Sequence, residues 1–364
     1  MYNSNKRGGA ALVAVLIMMI LVAVGVAVMI ITGKGNIDEA DNVPAFTPTS
    51  ESAADSKPDE SSAPDDSSTE SQPDSSKPDD SSIPENAVVL TEAETFKEID
   101  YKAANMTGKY AILVSADDMK ILAGINHEKK IYPASMTKVM TIIVAAENIK
   151  DPDSKYKFTK QMLDDLNNQG ASMAGFAANE EVAFIDLLYG AILQSGADAT
   201  TGLANLVAGS ETDFVALMNK KAEEMGLETT HFTNCSGLHD KEHYSSCKDM
   251  ATILCYALKN ETCKKVLTTH KYTTAKTPQH PDGVKLSSTV LDSFSGYYVD
   301  LGLDGKKDGE ILGGKSGFTD EAGNALETVY EYNGKTYISV VTKCTSKNAA
   351  VIDNMAVYER NLSK

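Results

Sequence analysis

The sequence predicts an α+β domain, in which strands from the two ends of the domain form one sheet around a helical middle. Two runs over residues 110–126, YAILVSADD and MKILAGIN, have the pattern of strands joined by a short turn. Helical patterns dominate residues 150–265, and strand patterns return after about residue 283. This order indicates an antiparallel sheet flanked by helices, with an inserted all-helical domain.

The C-terminal part of the domain has two clear local signals. The run ALETVYEYNGKTYISVVTKC predicts a hairpin whose turn is Asn333-Gly334, a pair that favours tight turns between antiparallel strands. The run NAAVIDNMAVYERNLSK after it has the pattern of an amphipathic helix. We expect the folded domain to cover residues 87–364, with the helical subdomain at about residues 150–265.

The N-terminus predicts a membrane anchor. Residues 10–31 contain no charge and no proline, and as a helix they would span about 33 Å, enough to cross a bilayer. Lys6 and Arg7 precede this run, so we expect a cytoplasmic tail at 1–9, a transmembrane anchor at 10–32 and an extracytoplasmic domain beyond it. A cleaved signal peptide is the alternative, although the apolar run is long for one.

Residues 33–86 predict a disordered, extended linker, because they are rich in Ser, Pro and acidic residues and contain few large apolar ones. Between Asp38 and Glu85 there are fourteen acidic residues and two lysines. This segment therefore carries most of the chain's net charge of −17. The remainder has no basic patch, so we expect no nucleic-acid partner. The five cysteines are too few for a disulfide scaffold, and we predict mostly free, buried thiols.

The stretch IYPASMTKVMT places a lysine in an apolar helix, three residues after a serine. Ser135 and Lys138 would lie on the same face, near a helix start favoured by Pro133. Burial lowers the pKa of a lysine, which can then act as the base that a serine nucleophile needs. Two other Ser-x-x-Lys sets, Ser154 with Lys157 and Ser245 with Lys248, do not open an apolar helix after a proline.

Two further elements follow in the chain. QSGADAT places Ser195 on a short loop between two helical patterns, and GGKSG places Lys315 just before the C-terminal hairpin. Glycines in a strand let another backbone approach, and a lysine there could hold a substrate carboxylate. Taken alone, each element is better explained as an ordinary loop serine or a strand-edge lysine that aids solubility. The order Ser-x-x-Lys, Ser-x-x, Lys-Ser-Gly is the set used by penicillin-binding proteins and class A β-lactamases.

Residues from about 90 to 345 resemble the D-alanyl-D-alanine carboxypeptidases, which are low-molecular-weight penicillin-binding proteins of the serine type. The matching stretches are YPASMTK, LLYGAILQSGADAT, TNCSGLHDKEHYSSCKDMA and GGKSGFTDEAGNAL. The resemblance implies the β-lactamase/D,D-peptidase-like fold of the penicillin-recognising serine enzymes. It also implies an acyl-enzyme mechanism on peptidoglycan stem peptides ending in D-Ala-D-Ala, covalent inhibition by β-lactams, and no metal or organic cofactor.

The resemblance also implies roles for individual residues. Ser135 would be the nucleophile, Lys138 its base, and Ser195 the group that relays a proton to the leaving D-alanine. Lys315 and Ser316 would bind the terminal carboxylate, with Gly317 beside them. The backbone N–H groups of Ser135 and Phe318 would form the oxyanion hole.

The sequence departs from the family pattern at three places. Ala197 stands where the second motif usually has an asparagine that contacts the substrate amide, which puts rate and substrate preference in doubt. Ser316 replaces the commoner threonine and keeps the hydroxyl. The β-rich C-terminal domain and C-terminal anchor of many relatives have no counterpart in the sequence pattern, and the N-terminal helix would replace that anchor.

Other interpretations remain open at this point. Cys235, His239, His243 and Cys247 are spaced by four and could be a zinc site, but Ser236-Gly237 interrupts any helix through them. On the same fold, the chain could be a D,D-endopeptidase or a β-lactamase. The missing asparagine would also fit a catalytically weak protein that binds β-lactams or peptidoglycan. We expect a carboxypeptidase on the cell-wall side of the plasma membrane.

Overall fold

The computed structural model describes residues 87–102 and 104–362. The predicted cytoplasmic tail, membrane anchor and acidic linker (1–9, 10–32 and 33–86) therefore lie outside the described residues. Within the described residues, no helix is both long enough and apolar enough to cross a bilayer.

One sheet organises the domain. Its strands are β1 (Thr91–Glu98), β2 (Tyr110–Ser115), β3 (Lys120–Ile125), β8 (Glu310–Thr319), β9 (Gly323–Tyr332) and β10 (Lys335–Cys344). Their order is β1-β3-β2-β10-β9-β8, so strands from both ends of the domain meet at the β2–β10 pair. Neighbours pair antiparallel except β1 and β3, which are parallel. The antiparallel sheet is confirmed, and the parallel edge strand β1 is an addition to it.

The helices are α1 (Thr137–Asn148), α2 (Lys160–Asn168), α3 (Phe184–Leu193), α4 (Ala197–Ala208), α5 (Glu211–Glu224), α6 (Cys247–Ala257), α7 (Glu261–Leu267), α8 (Thr289–Ser293) and α9 (Lys347–Asn361). The predicted helical insertion corresponds to α2–α7. It also contains a short ribbon of β4 (Lys155–Lys157) and β5 (Glu181–Ala183), so it is not entirely helical. Three-residue strands are too short to give a period-two pattern in the sequence. A second short ribbon, β6 (Lys271–Thr273) and β7 (Lys285–Ser287), follows α7.

The two faces of the sheet bury different parts of the chain. One face packs on the helical part, with Ile112, Val329 and Val340 in the same cluster as the buried residues of α1, α3, α4 and α6. The other face, with Leu113 and Val341, is covered by α9 through Val357 and Tyr358. Helix α1 lies in the first layer, and its residues from Thr137 to Ala145 are all buried. Its N-terminal end, with the Ser135–Lys138 set, is therefore fixed between the sheet and the helical part.

Candidate active site

Ser135 and Lys138 lie within hydrogen-bond distance of each other. Ser135 belongs to a 3-10 turn, Ala134–Met136, that leads directly into α1. Lys138 Nζ donates to Ser135 Oγ over 3.0 Å and to the Ser236 carbonyl oxygen over 2.5 Å. The Lys138 side chain is only 2% exposed, and this burial lowers its pKa from 10.5 to about 8. A lysine with that pKa is partly neutral near physiological pH, so it can accept the Ser135 proton.

The backbone around Ser135 is held in an uncommon conformation by close neighbours. Ala134 has φ 48°, a value that costs a non-glycine residue energy and that clusters at functional sites. A Cβ on Gly237 would lie 1.9 Å from the Ala134 carbonyl oxygen, and one on Gly317 would lie 3.1 Å from Ser135 N. A side chain at either position would collide with this backbone, so the loop that contains Gly237 and strand β8 together hold the turn that contains Ser135.

Ser195 and Lys315 form a second pair across the same site. Ser195 lies between α3 and α4 with φ 60°, as an αL residue on the predicted interhelical loop. Lys315 Nζ donates to Ser195 Oγ over 2.9 Å and to the Ser316 carbonyl oxygen over 2.7 Å. Lys315 is completely buried, and its pKa is held well below 10.5 by that burial and by the nearby charge of Lys138. The structure thus brings the three predicted catalytic side chains together with Lys315, which is predicted to bind the substrate carboxylate.

The GGKSG stretch forms the wall of the site as part of β8. A Cβ on Gly313 would lie 2.0 Å from the Leu267 carbonyl oxygen, and one on Gly314 equally close to the Glu327 carbonyl oxygen, so the glycines admit neighbouring backbone as predicted. Ser316 Oγ lies 3.4 Å from Thr289 Oγ1, and the Phe318 ring is 59% exposed. Gly317, the residue before Phe318, lies against the backbone of Ser135, where the predicted oxyanion hole would lie.

A cavity of about 310 Å³ connects these groups, and Ser135, Ser195, Ser316, Gly317 and Phe318 all line it. A larger cavity of about 620 Å³ lies elsewhere, against the start of the domain and the end of α5. None of the predicted catalytic residues lines that larger cavity. We assign the site to the smaller cavity because Ser135 and Ser195 both line it.

The alternative Ser-x-x-Lys sets have ordinary structural roles. Lys157 is exposed and lies 3.7 Å from Glu181. Lys248 Nζ lies 2.8 Å from Glu128 Oε1, and Ser245 Oγ lies 2.9 Å from Thr230 Oγ1. Lys157 and Lys248 thus have exposed acidic partners, whereas the set that follows Pro133 has a buried lysine–serine contact.

The residues considered as zinc ligands do not form a metal site. Within the described part of the chain, no group of three or more metal-ligating side chains comes together. His243 Nε2 lies 2.7 Å from Thr137 Oγ1, and burial lowers the His243 pKa to about 4, so the ring is neutral and braces the first turn of α1. His239 packs edge-on against Tyr132 beside the cleft. All five cysteines are free and buried, as predicted.

Sequence reasoning missed several supporting residues. The Ser236 carbonyl oxygen fixes Lys138, and it belongs to the matched stretch TNCSG without any side-chain signal. Asp198 is completely buried and accepts backbone N–H groups of Ala174, Gly175, Phe176 and Ala199, which ties the preceding loop to the start of α4. Asp198 could have been identified from the sequence. It is a charged residue among the small and apolar residues of GADATTGLA, just as Lys138 is a charged residue in an apolar helix.

Most of the described chain matches one known protein family. A family model described as D-alanyl-D-alanine carboxypeptidase matches residues 97–346, which is more than half of the chain. The chain belongs to this family. The predicted resemblance is therefore confirmed.

Two curated relatives illustrate the likeness. D-alanyl-D-alanine carboxypeptidase DacF of Bacillus subtilis is 36% identical over 163 residues, which are 45% of this chain and 42% of that protein. The D-alanyl-D-alanine carboxypeptidase of Streptomyces sp. strain K15 is 31% identical over 225 residues, 58% of this chain and 72% of that protein. The chain thus spans less than half of the length of the DacF protein that it matches.

Solved structures show the same fold. The Streptomyces K15 DD-transpeptidase superposes with a TM-score of 0.61 at 27% identity, covering 71% of this chain and 98% of that one. Penicillin binding protein 5 from Haemophilus influenzae gives a TM-score of 0.59 at 26% identity, with 70% of each chain covered. The family fold, a sheet flanked by helices, is therefore the fold of residues 87–362.

Proposed function

We propose that this chain is a serine-type D-alanyl-D-alanine carboxypeptidase, which removes the terminal D-alanine from peptidoglycan stem peptides through an acyl-enzyme on Ser135. The observation that carries the proposal is the buried Lys138–Ser135 contact of 3.0 Å, opposite the Lys315–Ser195 contact of 2.9 Å in one cavity. Family membership supports the substrate class, since relatives carry this activity in their names.

Acylation begins when neutral Lys138 accepts the proton of Ser135 Oγ. The oxygen attacks the carbonyl carbon of the last peptide bond, and the carbonyl oxygen becomes an oxyanion facing the N–H groups of Ser135 and Phe318. Lys315 and Ser316 hold the carboxylate of the terminal D-alanine. A proton then passes through Ser195 to the leaving amine, the C–N bond breaks, and the peptide remains esterified to Ser135.

Deacylation reverses these roles with water as the nucleophile. With Ser195 assisting, water gives a proton to neutral Lys138 and attacks the ester carbonyl carbon. Ser135 Oγ then recovers that proton from Lys138 as the shortened peptide leaves. Ala197 offers no side-chain amide to the substrate, so orientation depends on the carboxylate contact and on the backbone of the cleft. The complete Ser135, Lys138, Ser195 and Lys315 set favours this enzyme over a purely binding protein. No contact in the described residues favours the endopeptidase or β-lactamase alternatives over it.

The proposed location is the cell-wall side of the plasma membrane, with residues 10–32 as anchor and 33–86 as linker. The apolar run and the preceding Lys6 and Arg7 support this placement. Membrane fractionation of cells that express the full chain, compared with a form in which residues 10–32 are replaced by a cleavable secretion signal, tests it. Recovery of the full chain in the soluble fraction would contradict the anchor.

The activity is tested by D-alanine release from a diacylated Lys-D-Ala-D-Ala peptide, using the detergent-solubilised full chain. We expect release that is lost with Ser135→Ala and on treatment with penicillin. A stable penicilloyl adduct on Ser135 without D-alanine release would contradict the carboxypeptidase proposal and favour an endopeptidase or a binding protein. Rapid hydrolysis of that adduct would favour a β-lactamase.

A further inference from the structure

Glu327 is a buried acidic residue that lies beside Lys315 and has no role in the mechanism proposed above. Its side chain is completely buried, and no described residue hydrogen-bonds to either of its carboxyl oxygens. Glu327 belongs to β9 and lies directly opposite Lys315 of β8. Opposite residues of antiparallel strands point to the same face of the sheet, with Cβ atoms roughly 4.5–5.5 Å apart. The carboxyl group therefore shares with Lys315 the face of the sheet that carries the active site.

The position is unusual for an acid. Ala325 and Val329, the residues two before and two after it on the same face, are buried and apolar. A buried carboxylate without hydrogen bonds is costly unless a nearby charge compensates it. Asp198, another buried acid at the site, accepts four backbone N–H groups, including those of Ala174 and Ala199. Glu327 has no such donors, and Lys315, directly opposite on β8, is the cation whose charge lowers its pKa.

The protonation of Lys315 depends in turn on the charge of Glu327. Burial is the largest cause that lowers the Lys315 pKa, and Lys138 in α1 and Lys347 in α9 lower it further. Among the groups that shift this pKa in the described residues, Glu327 is the one that raises it. Burial raises the Glu327 pKa well above 4.5, and Lys315 opposes that shift. Burial, together with the charge of Glu327, raises the pKa of the Cys247 thiol of α6 to about 12, so this thiol remains neutral.

We propose that Glu327 is a positioning residue that keeps the buried Lys315 side chain protonated, so that Lys315 presents an ammonium group to the carboxylate of the substrate. This inference rests on the proposed function, because it assigns carboxylate binding to Lys315. Without the Glu327 carboxylate, the positive charges of Lys138 and Lys347 would act on the buried Lys315 ammonium group, and no negative charge on the sheet would oppose them. Lys315 would then lose its proton at lower pH and bind an anionic chain end poorly.

The test compares Glu327→Gln, which removes the charge at nearly constant shape, with the wild-type full chain. We expect the alkaline limb of kcat/KM for D-alanine release to move to lower pH by about one unit or more, since removal of an adjacent opposite charge shifts a pKa by that amount. At pH 8 we expect KM for the carboxylate-ended peptide to rise several-fold, with a smaller change in kcat. The matched peptide ending in D-alaninamide should show little change in kcat/KM.

Two outcomes would overturn the inference. One is an unchanged alkaline limb and KM in Glu327→Gln, which would mean that Glu327 is neutral and carries no charge to Lys315. The other is an equal loss for both peptides at every pH, which is the result of a purely structural role. Glu327→Met, an apolar side chain of similar length, provides a second neutral variant if Glu327→Gln does not fold, and the same pH shift is expected from it.

A second readout separates this inference from the proposed function. The rate at which a fluorescent penicillin, which also carries a carboxylate, acylates Ser135 can be measured over the same pH range. If the wild-type chain forms the adduct but releases no D-alanine, the proposed function fails, and the acylation profile still tests Glu327. If the wild-type chain releases D-alanine and the variants match it in both assays at every pH, the proposed function stands and the role of Glu327 is wrong.

Discussion

Lys315 donates a hydrogen bond to Ser195 over 2.9 Å, although 120 residues separate them in the chain. The contact joins β8 of the sheet to the loop between α3 and α4 of the helical part. Ser135 lies against Gly317 of β8, and α1, which carries Lys138, shares one buried cluster with α3 and α4. These four side chains thus come from three parts of the fold. Relative movement of the sheet and the helices would disrupt the Lys315–Ser195 contact, which joins them, before the Ser135–Lys138 contact, which lies within one helical turn.

The first prediction concerns Lys138 as general base. Lys138→Ala should lower D-alanine release and penicillin acylation by about 100-fold to 10,000-fold, the usual contribution of a positioned base. Lys157→Ala is the matched control, because Lys157 belongs to another Ser-x-x-Lys set but is exposed beside Glu181. It should leave both rates unchanged. Near-normal acylation in Lys138→Ala would show that another group takes the Ser135 proton.

The pH dependence of acylation follows from the pKa of about 8 for Lys138. Below that pH the ammonium form predominates and cannot accept a proton, so kcat/KM should fall about tenfold for each pH unit in the acid range. The acid limb measured in buffers of constant ionic strength should have its midpoint near this pKa. A midpoint near pH 6 would point to a histidine as the base instead.

His243 should make the fold sensitive to mild acid. Its pKa is lowered from 6.5 in the unfolded chain to about 4 in the folded one, mainly by burial. Between these values the unfolded state binds the additional proton, so stability should fall as pH decreases from 6.5 to 4. The loss should be at most about 3 kcal/mol. Denaturant titrations of wild type and His243→Gln should converge as pH falls, and parallel curves would contradict this assignment.

Ala197 offers a way to test the departure from the family pattern. Its side chain is 1% exposed at the start of α4, and its N–H donates to the Ser172 carbonyl oxygen over 2.7 Å. If Ala197→Asn supplies an amide contact to the substrate, a hydrogen bond of about 1 kcal/mol should raise kcat/KM about fivefold. Ala197→Ser, with a shorter side chain, is the control. A decrease in kcat/KM at unchanged stability would mean that the cleft is shaped around alanine.

Much of this architecture could be predicted because its signals are local. The Asn333-Gly334 turn, with φ of 53° and 73° in the structure, is fixed by two adjacent residues. The Ser135–Lys138 contact follows from helix periodicity. The parallel strand β1, TEAETFKE, is mostly exposed and has no apolar alternation, so its pairing depends on the rest of the fold. The hydrogen bond from Lys138 to the Ser236 carbonyl oxygen is equally non-local, because a backbone acceptor leaves no mark on residue type.

The close contact between Gly237 and Ala134 provides the last prediction. Gly237 and Gly209 both have positive φ, 79° and 83°, so alanine at either position should cost about 1 kcal/mol or more of stability from the αL backbone alone. A Cβ on Gly209 meets nothing within 4 Å, whereas one on Gly237 would lie 1.9 Å from the carbonyl oxygen of Ala134, which directly precedes Ser135.

Gly237→Ala must therefore displace the turn that carries Ser135, and a misplacement of about 1 Å can lower catalysis about 100-fold. Gly209→Ala should lose stability while its D-alanine release per folded molecule remains normal. Denaturant titration and penicillin acylation of both variants separate the two effects. Equal acylation rates in Gly237→Ala and Gly209→Ala would show that the turn tolerates displacement, and that its φ of 48° at Ala134 is not needed to aim the serine.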